Sequence, residues 1–191
     1  SMVSGGDGAF CYFDPNIQGA YISTVYTNIF WIVENESNYN YINEYSSGTF
    51  LSPFVANFDD EIIYANAIGF TGDNADKILV ITDFYDYYNS DGSFVDADTD
   101  SDVPFSHFYR LPDQETDVIL AGTVDGKLFK LDANATSISS MELTWNEFPE
   151  GFISSIVTPA NSDTVLITFS NYGVSSVWLS IDGGITWVER E

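Results

Sequence analysis

Short apolar runs separated by turn-forming residues recur along the chain. In the last part, Ile153-Ser154-Ser155-Ile156-Val157 reads as a strand, and Pro159 and Asn161 mark a loop. A second run over 164–169, a turn at Gly173 and a third run, Val177-Trp178-Leu179-Ser180, follow. A tight turn through Asp182-Gly183-Gly184 then opens a fourth strand over 187–191. The preceding stretch repeats the scheme: Phe105–Arg110, a loop opened by Leu111-Pro112, Asp117–Thr123, an Asp125-Gly126 hairpin turn and a strand over 127–131. There the last turn is Asp132-Ala133-Asn134-Ala135-Thr136, polar but without glycine, and Trp145 closes the final strand. Runs over 53–56, 61–65 and 77–81 make an earlier unit, and runs over 10–13, 20–23 and 28–32 make the first. The central-strand residues Tyr21, Ile62, Val118 and Val165 recur about every 40 to 55 residues, a repeat length typical of arrayed supersecondary units. The acidic stretch 83–103 accounts for the widest gap and reads as an insertion. The predicted class is all-β.

The turn near the end carries more than a strand pattern. Ser180-Ile181-Asp182-Gly183-Gly184-Ile185-Thr186-Trp187 fits Ser-x-Asp-x-Gly-x-Thr-Trp at every defined position. Asp182 can accept hydrogen bonds from backbone N–H groups of the turn, and the glycines take positive φ at little steric cost. Ser180 and Thr186 can bond across the hairpin mouth, and Trp187 supplies apolar burial that a short hairpin lacks. This segment resembles the Asp-box (BNR-repeat) β-propeller family, with repeats similar to those of sortilins and xyloglucanases. The resemblance implies a β-propeller of about four blades, each a four-stranded antiparallel sheet, over one domain at 1–191. The blades fall near 5–48, 49–102, 103–148 and 149–191. Family propellers usually have more blades, so the expectation is an incomplete or open propeller whose exposed blade faces seek a partner, with a homodimer as one outcome.

Charge narrows the function classes. The chain has 29 acidic against 5 basic residues, a formal net charge of −24. Nucleic acid is thereby excluded as a partner, because phosphate binding needs a basic footprint. Anionic membrane surfaces are disfavoured for the same reason, and no apolar run approaches the roughly 18 to 20 residues of a membrane span. The acid surplus suits a saline or marine bacterial source. With 45% hydrophobic and 16% aromatic residues, there is ample core material. Cys11, the only cysteine, lies in the apolar run 10–13 and reads as a small core residue. His107 is the only histidine, which leaves His-cluster metal sites and His-paired triads without support.

Three constellations could carry chemistry. The carboxylates of Asp96, Asp98, Asp100 and Asp102 alternate in a way that suits Ca²⁺, similar to the start of an EF-hand loop. Ser101 stands where that loop has glycine, and His107 where it has its bidentate Glu; the alternative is a solvated acidic loop. No other cofactor motif is present. Gly5-Gly6-Asp7-Gly8-Ala9-Phe10 resembles a Gly-Asp segment that carries a catalytic carboxylate in xyloglucanase-type hydrolases, which assigns that role to Asp7 by resemblance. A structural turn is its alternative. Tyr39, Tyr41 and Tyr45, and again Phe84, Tyr85, Tyr87 and Tyr88, form aromatic-polar clusters that suit a carbohydrate platform, although such residues more often serve blade core and inter-blade packing.

Sialidases share the Asp-box but hold their substrate with an arginine triad, whereas this chain has only Arg110 and Arg190. Photosystem-assembly propellers of the superfamily depend on a basic patch, which is missing. The resemblance therefore implies a non-catalytic binding or scaffolding propeller, extracellular or at the cell surface (or periplasmic), recognising protein or glycan. The other reading is a fragment of a polysaccharide-acting glycoside hydrolase using Asp7.

Overall fold

The computed structural model describes residues 8–16, 19–24, 28–35, 38–45, 51–67, 76–86, 90–112, 114–159 and 163–190. Between 17 and 50 the description is of strand backbones and their pairing. Every regular element among these residues is a β-strand, and the strands form four sheets, each of four strands in sequential antiparallel order. The chain divides into two compact units, 1–96 and 97–191.

In the first unit, β1 (Gly8–Asp14), β2 (Gly19–Thr24), β3 (Asn28–Asn35) and β4 (Asn38–Tyr45) make one meander. β5 (Phe54–Asn57), β6 (Ile62–Asn66), β7 (Lys77–Thr82) and β8 (Asp91–Asp96) make the other. The inner strands of the second meander are apolar on both faces, as strands covered on two sides must be. Phe54, Ile63, Ala65, Leu79, Ile81 and Phe84 form its core, all 0% exposed. Phe10 and Tyr12 of β1 pack onto that core, with the Tyr12 and Phe54 rings edge to face at 4.9 Å. Both first hairpins turn on a short polar side chain. Asp14 Oδ1 accepts the Asn16 N–H at 2.7 Å, and Asn57 Oδ1 accepts those of Asp59 and Asp60 at 3.1 and 3.2 Å.

In the second unit, β9 (Phe105–Arg110), β10 (Asp117–Thr123), β11 (Leu128–Ala133) and β12 (Ile138–Glu142) form one sheet. β13 (Ile153–Val157), β14 (Val165–Phe169), β15 (Val177–Ser180) and β16 (Val188–Glu189) form the other. Leu120, Leu128, Ile153, Ile156, Ile167, Trp178 and Trp187 make a common core between them. The approach is close at Gly122, where a Cβ would stand 2.6 Å from Ile153 Cγ2, so only glycine lets β10 lie against β13. The Ser106 hydroxyl donates to the Ile153 carbonyl at 2.7 Å, and the Tyr109 hydroxyl to that of Thr158 at 2.8 Å, tying the sheets with polar clasps. Inside, the Phe148 ring stands edge-on to Phe169, Trp178 and Trp187 with centroids 5.6, 5.4 and 5.2 Å away.

Four expectations are corrected. The acidic stretch 83–103 is not simply an insertion, because it contains β8, the fourth strand of its sheet. Trp145 does not close its sheet; β12 does, and Trp145 follows it and packs against the core. The last strand is shorter than 187–191: β16 pairs only Val188 and Glu189 with Leu179 and Trp178. Cys11 is exposed rather than buried, because the alternation along β1 places it opposite the face that carries Phe10 and Tyr12.

Candidate functional site

The Ser180–Trp187 hairpin joins β15 to β16 and is held by a closed set of hydrogen bonds. The Ser180 hydroxyl donates to Asp182 Oδ1 at 2.8 Å while its oxygen accepts the Gly184 N–H at 2.9 Å. Asp182 Oδ1 also accepts the Thr186 N–H at 2.9 Å, and Oδ2 accepts the Thr186 hydroxyl at 2.6 Å. Gly183 and Gly184 take φ of 72° and 93°, the left-handed region that favours glycine. The Trp187 indole N–H donates back to the Gly184 carbonyl at 3.0 Å, and the ring is 5% exposed in the core. Bonds from the Thr186 hydroxyl and N–H and from the Ser180 hydroxyl hold the Asp182 carboxyl down to about 2. Both its oxygens are thus engaged within the turn.

The matching turn of the preceding sheet, between β11 and β12, uses Asn134 instead. Its Oδ1 accepts the N–H groups of Thr136 and Ser137 at 2.9 and 3.0 Å, and its amide donates to the Ser137 hydroxyl at 2.8 Å. An Asx turn of this kind needs no positive φ, which explains why glycine is dispensable there.

Tyr85 is committed to the fold. Its ring packs against Phe84 at 4.7 Å, and its hydroxyl donates to Oδ2 of Asp14 at 2.5 Å. Burial first, then the hydrogen bond to the Asp14 carboxylate, pushes the Tyr85 hydroxyl up to about 12. Asp14 itself is only 2% exposed, a buried carboxylate just beyond the apolar run 10–13. Tyr87 and Tyr88, the side chains of Tyr39, Tyr41 and Tyr45, and Asp7 lie outside the described residues. The carboxylates of the acidic stretch are all exposed, Asp98 and Asp100 at φ of 51° and 49°. Among the described residues no three His, Cys, Asp or Glu side chains come together as a metal site. His107 sits largely buried in β9, and burial lowers its pKa against an opposing backbone hydrogen bond at Ile156.

One charged pair is internal: Arg110 Nε donates to Asp117 Oδ1 at 2.5 Å, with Asp117 nearly buried. Two adjoining clefts lie elsewhere in the second unit. The larger, about 570 Å³, is lined by Asp125, Lys127, Glu142, Trp145, Phe148 and Glu150, among others. The smaller, about 360 Å³, shares Glu142, Thr144, Trp145 and Asn146 with it and reaches Gly184 and Ile185 of the last hairpin. The common wall is fixed by the backbone: Leu143 N–H donates to Leu128 O at 2.7 Å and Phe148 N–H to Trp145 O at 3.0 Å. The Leu128 N–H donates to the Thr144 hydroxyl at 3.0 Å. Gly126, at φ 95°, shapes the far side, where a Cβ would stand 2.5 Å from the Pro149 carbonyl. A third cleft of about 330 Å³, lined by Leu111, Leu120, Lys130, Thr158, Asp163 and Val165 among others, lies between the two sheets. The strand pattern gave no sign of the paired clefts, because their walls are a turn and the connection that follows β12.

No protein-family model matches the chain, and no curated protein matches it. Among solved structures, YCF48 from Cyanidioschyzon merolae is similar over 100% of this chain and 61% of its own, with 16% identity and a TM-score of 0.63. The WD40 domain of SCAP from fission yeast is similar over 92% of this chain and 39% of its own, with 13% identity and a TM-score of 0.48. The β-propeller domain of Myceliophteria thermophila Cps50 (Swd1) is similar over 95% of this chain and 67% of its own, with 10% identity and a TM-score of 0.46. The chain thus spans less than two thirds of the length of the first two. Its sequential four-stranded meanders and the full-length likeness to YCF48 establish the fold as a β-propeller.

Proposed function

We propose that this chain is a non-catalytic binding or scaffolding propeller of the Asp-box type, recognising a protein or glycan partner. One observation carries the reading: the polar groups of its most specific motif are turned inward. Asp182, Ser180 and Thr186 satisfy one another and the turn backbone, so the motif stiffens a hairpin and leaves partner contact to other surfaces. Tyr85 and Asp14 are engaged with each other in the same way. Clefts walled by turns and connections are where propeller-like scaffolds can vary their partners without disturbing the sheets.

Incubation with a panel of neutral and acidic polysaccharides, followed by an assay for newly released reducing ends, tests this reading. The expected result is no release above a heat-denatured control. Turnover that disappears in Asp7→Ala would overturn it in favour of a glycoside hydrolase.

A further inference from the structure

We infer that the paired clefts around Trp145 form a docking groove for a basic, arginine- or lysine-bearing peptide segment of a partner protein. The inference rests on the binding-propeller reading and names the chemistry of the partner.

Charge supplies the first argument. Asp125, Glu142 and Glu150 line the larger cleft against one cation, Lys127, and Glu142 and Glu150 are exposed. Among the described residues none of these acids makes an ion pair; Arg110 pairs with Asp117 instead. They sit on a chain of net charge −24, whose field raises the local concentration of cationic segments and repels anionic ones. A neutral glycan gains nothing from that field.

Shape and aromatic character supply the second. Trp145 and Phe148 line the groove beside these carboxylates, and a guanidinium over an indole face is attracted by the ring as well as by the acids. The walls are preformed by backbone hydrogen bonds and by the close approach of Gly126 to Pro149, so binding orders little of the protein.

An unmet donor supplies the third. Trp145 Nε1 is buried and has no acceptor among the described residues, in contrast to Trp178 and Trp187, whose indoles donate to Ser175 O and Gly184 O at 3.0 Å. A buried indole N–H without a partner is unfavourable. A small turn of the ring edge toward the groove would let it donate to a backbone carbonyl of an incoming segment. The basic side chain then lies along the carboxylates while the peptide backbone meets Trp145.

The test is fluorescence anisotropy with a short fluorescein-labelled peptide alternating arginine and glycine, titrated with the full chain at near-physiological salt. Glu142→Gln with Glu150→Gln is expected to weaken binding about tenfold. Asp91→Asn with Asp96→Asn removes the same charge from exposed positions of β8 and is expected to change it less than about twofold. Trp145→Phe keeps a ring but lacks the N–H, and is expected to weaken binding by roughly fivefold while the chain stays folded at the assay temperature. The inference is overturned if the wild type does not bind the peptide, if both charge pairs weaken binding equally, or if Trp145→Phe leaves affinity unchanged. Displacement of the peptide by a neutral oligosaccharide, with no salt dependence, would overturn the basic-segment assignment and leave the binding-propeller reading standing. Polysaccharide turnover would overturn that reading whatever the peptide does.

Discussion

Gly122 gives the sharpest test of how the two sheets of the second unit meet. Replacing it with alanine puts a methyl group 2.6 Å from Ile153 Cγ2 and 2.8 Å from Ile153 Cβ, well inside van der Waals contact. Ile153 is 0% exposed, so it has no solvent to retreat into, and the strain must be taken up by moving β10 from β13. Overpacking of this kind costs about 1–3 kcal/mol. The lower entropy of an unfolded alanine chain offsets about 0.4–1 kcal/mol of that. The net loss therefore lies between about 0 and 2.6 kcal/mol, a melting temperature lower by up to roughly 10 °C for a chain of this size. Guanidinium unfolding followed by tryptophan fluorescence is a suitable assay, since Trp145, Trp178 and Trp187 all pack in or against this core. Ile153→Ala alone is expected to cost about 2–5 kcal/mol through the cavity it leaves. In the double variant the alanine at 122 partly fills that cavity, so its loss falls short of the sum of the single losses by about 1 kcal/mol or more. Additivity within about 0.5 kcal/mol, or a stabilised Gly122→Ala protein, would refute the packing argument.

Three further outcomes follow from the same geometry. Because the Asp182 carboxyl is held down to about 2 from its ordinary 3.8, the stability it contributes is complete above pH 3.8 and is lost as pH falls toward 2. The melting-temperature gap between wild type and Asp182→Asn is expected to narrow over that window, and a gap that stays constant to pH 2 contradicts it. The Tyr85 hydroxyl, raised from 10.0 to about 12, contributes stability that is complete below pH 10 and lost as pH rises through 12, so alkaline melting of wild type should converge on that of Tyr85→Phe. Parallel alkaline melting curves for the two proteins would rule this out. Trp187→Ala is expected to cost about 3–5 kcal/mol by emptying the site beside Phe148, readable by chemical denaturation; a loss under about 1 kcal/mol would mean the hairpin does not anchor the core.

β10, buried at every position, and β7, buried at all but its ends, were legible as continuous apolar runs, whereas β9, β13 and β15 were legible as short runs anchored by apolar residues and bounded by turn formers. β9, β10, β13 and β15 begin and end where the pattern placed them. The fourth strands β8 and β12 were not legible. β8, Asp91-Gly92-Ser93-Phe94-Val95-Asp96, is exposed or half-exposed throughout, and β12 is buried only at Ile138, so neither shows the alternation that marks a half-buried strand. The turn at Ser180–Trp187 was legible as a tight glycine-bearing hairpin with Asp182 accepting backbone N–H groups, because that chemistry is local; that Ser180 and Thr186 both bond to Asp182, and the Trp187 indole to Gly184, came from the structure. The contact of Tyr85 with Asp14 spans 71 positions, and the groove around Trp145 depends on where a connection crosses a turn. Local pattern carries no information of that kind.

The outer strand β8 has a colloidal consequence. A sheet edge is a template for another strand, and here it is bordered by exposed Asp91 and Asp96 and followed by exposed Asp98, Asp100 and Asp102. Mutual repulsion between copies therefore guards that edge at neutral pH, where the chain carries a formal net charge of −24. The net charge falls to zero near the isoelectric point of about 4.1, so self-association between copies is expected to peak there.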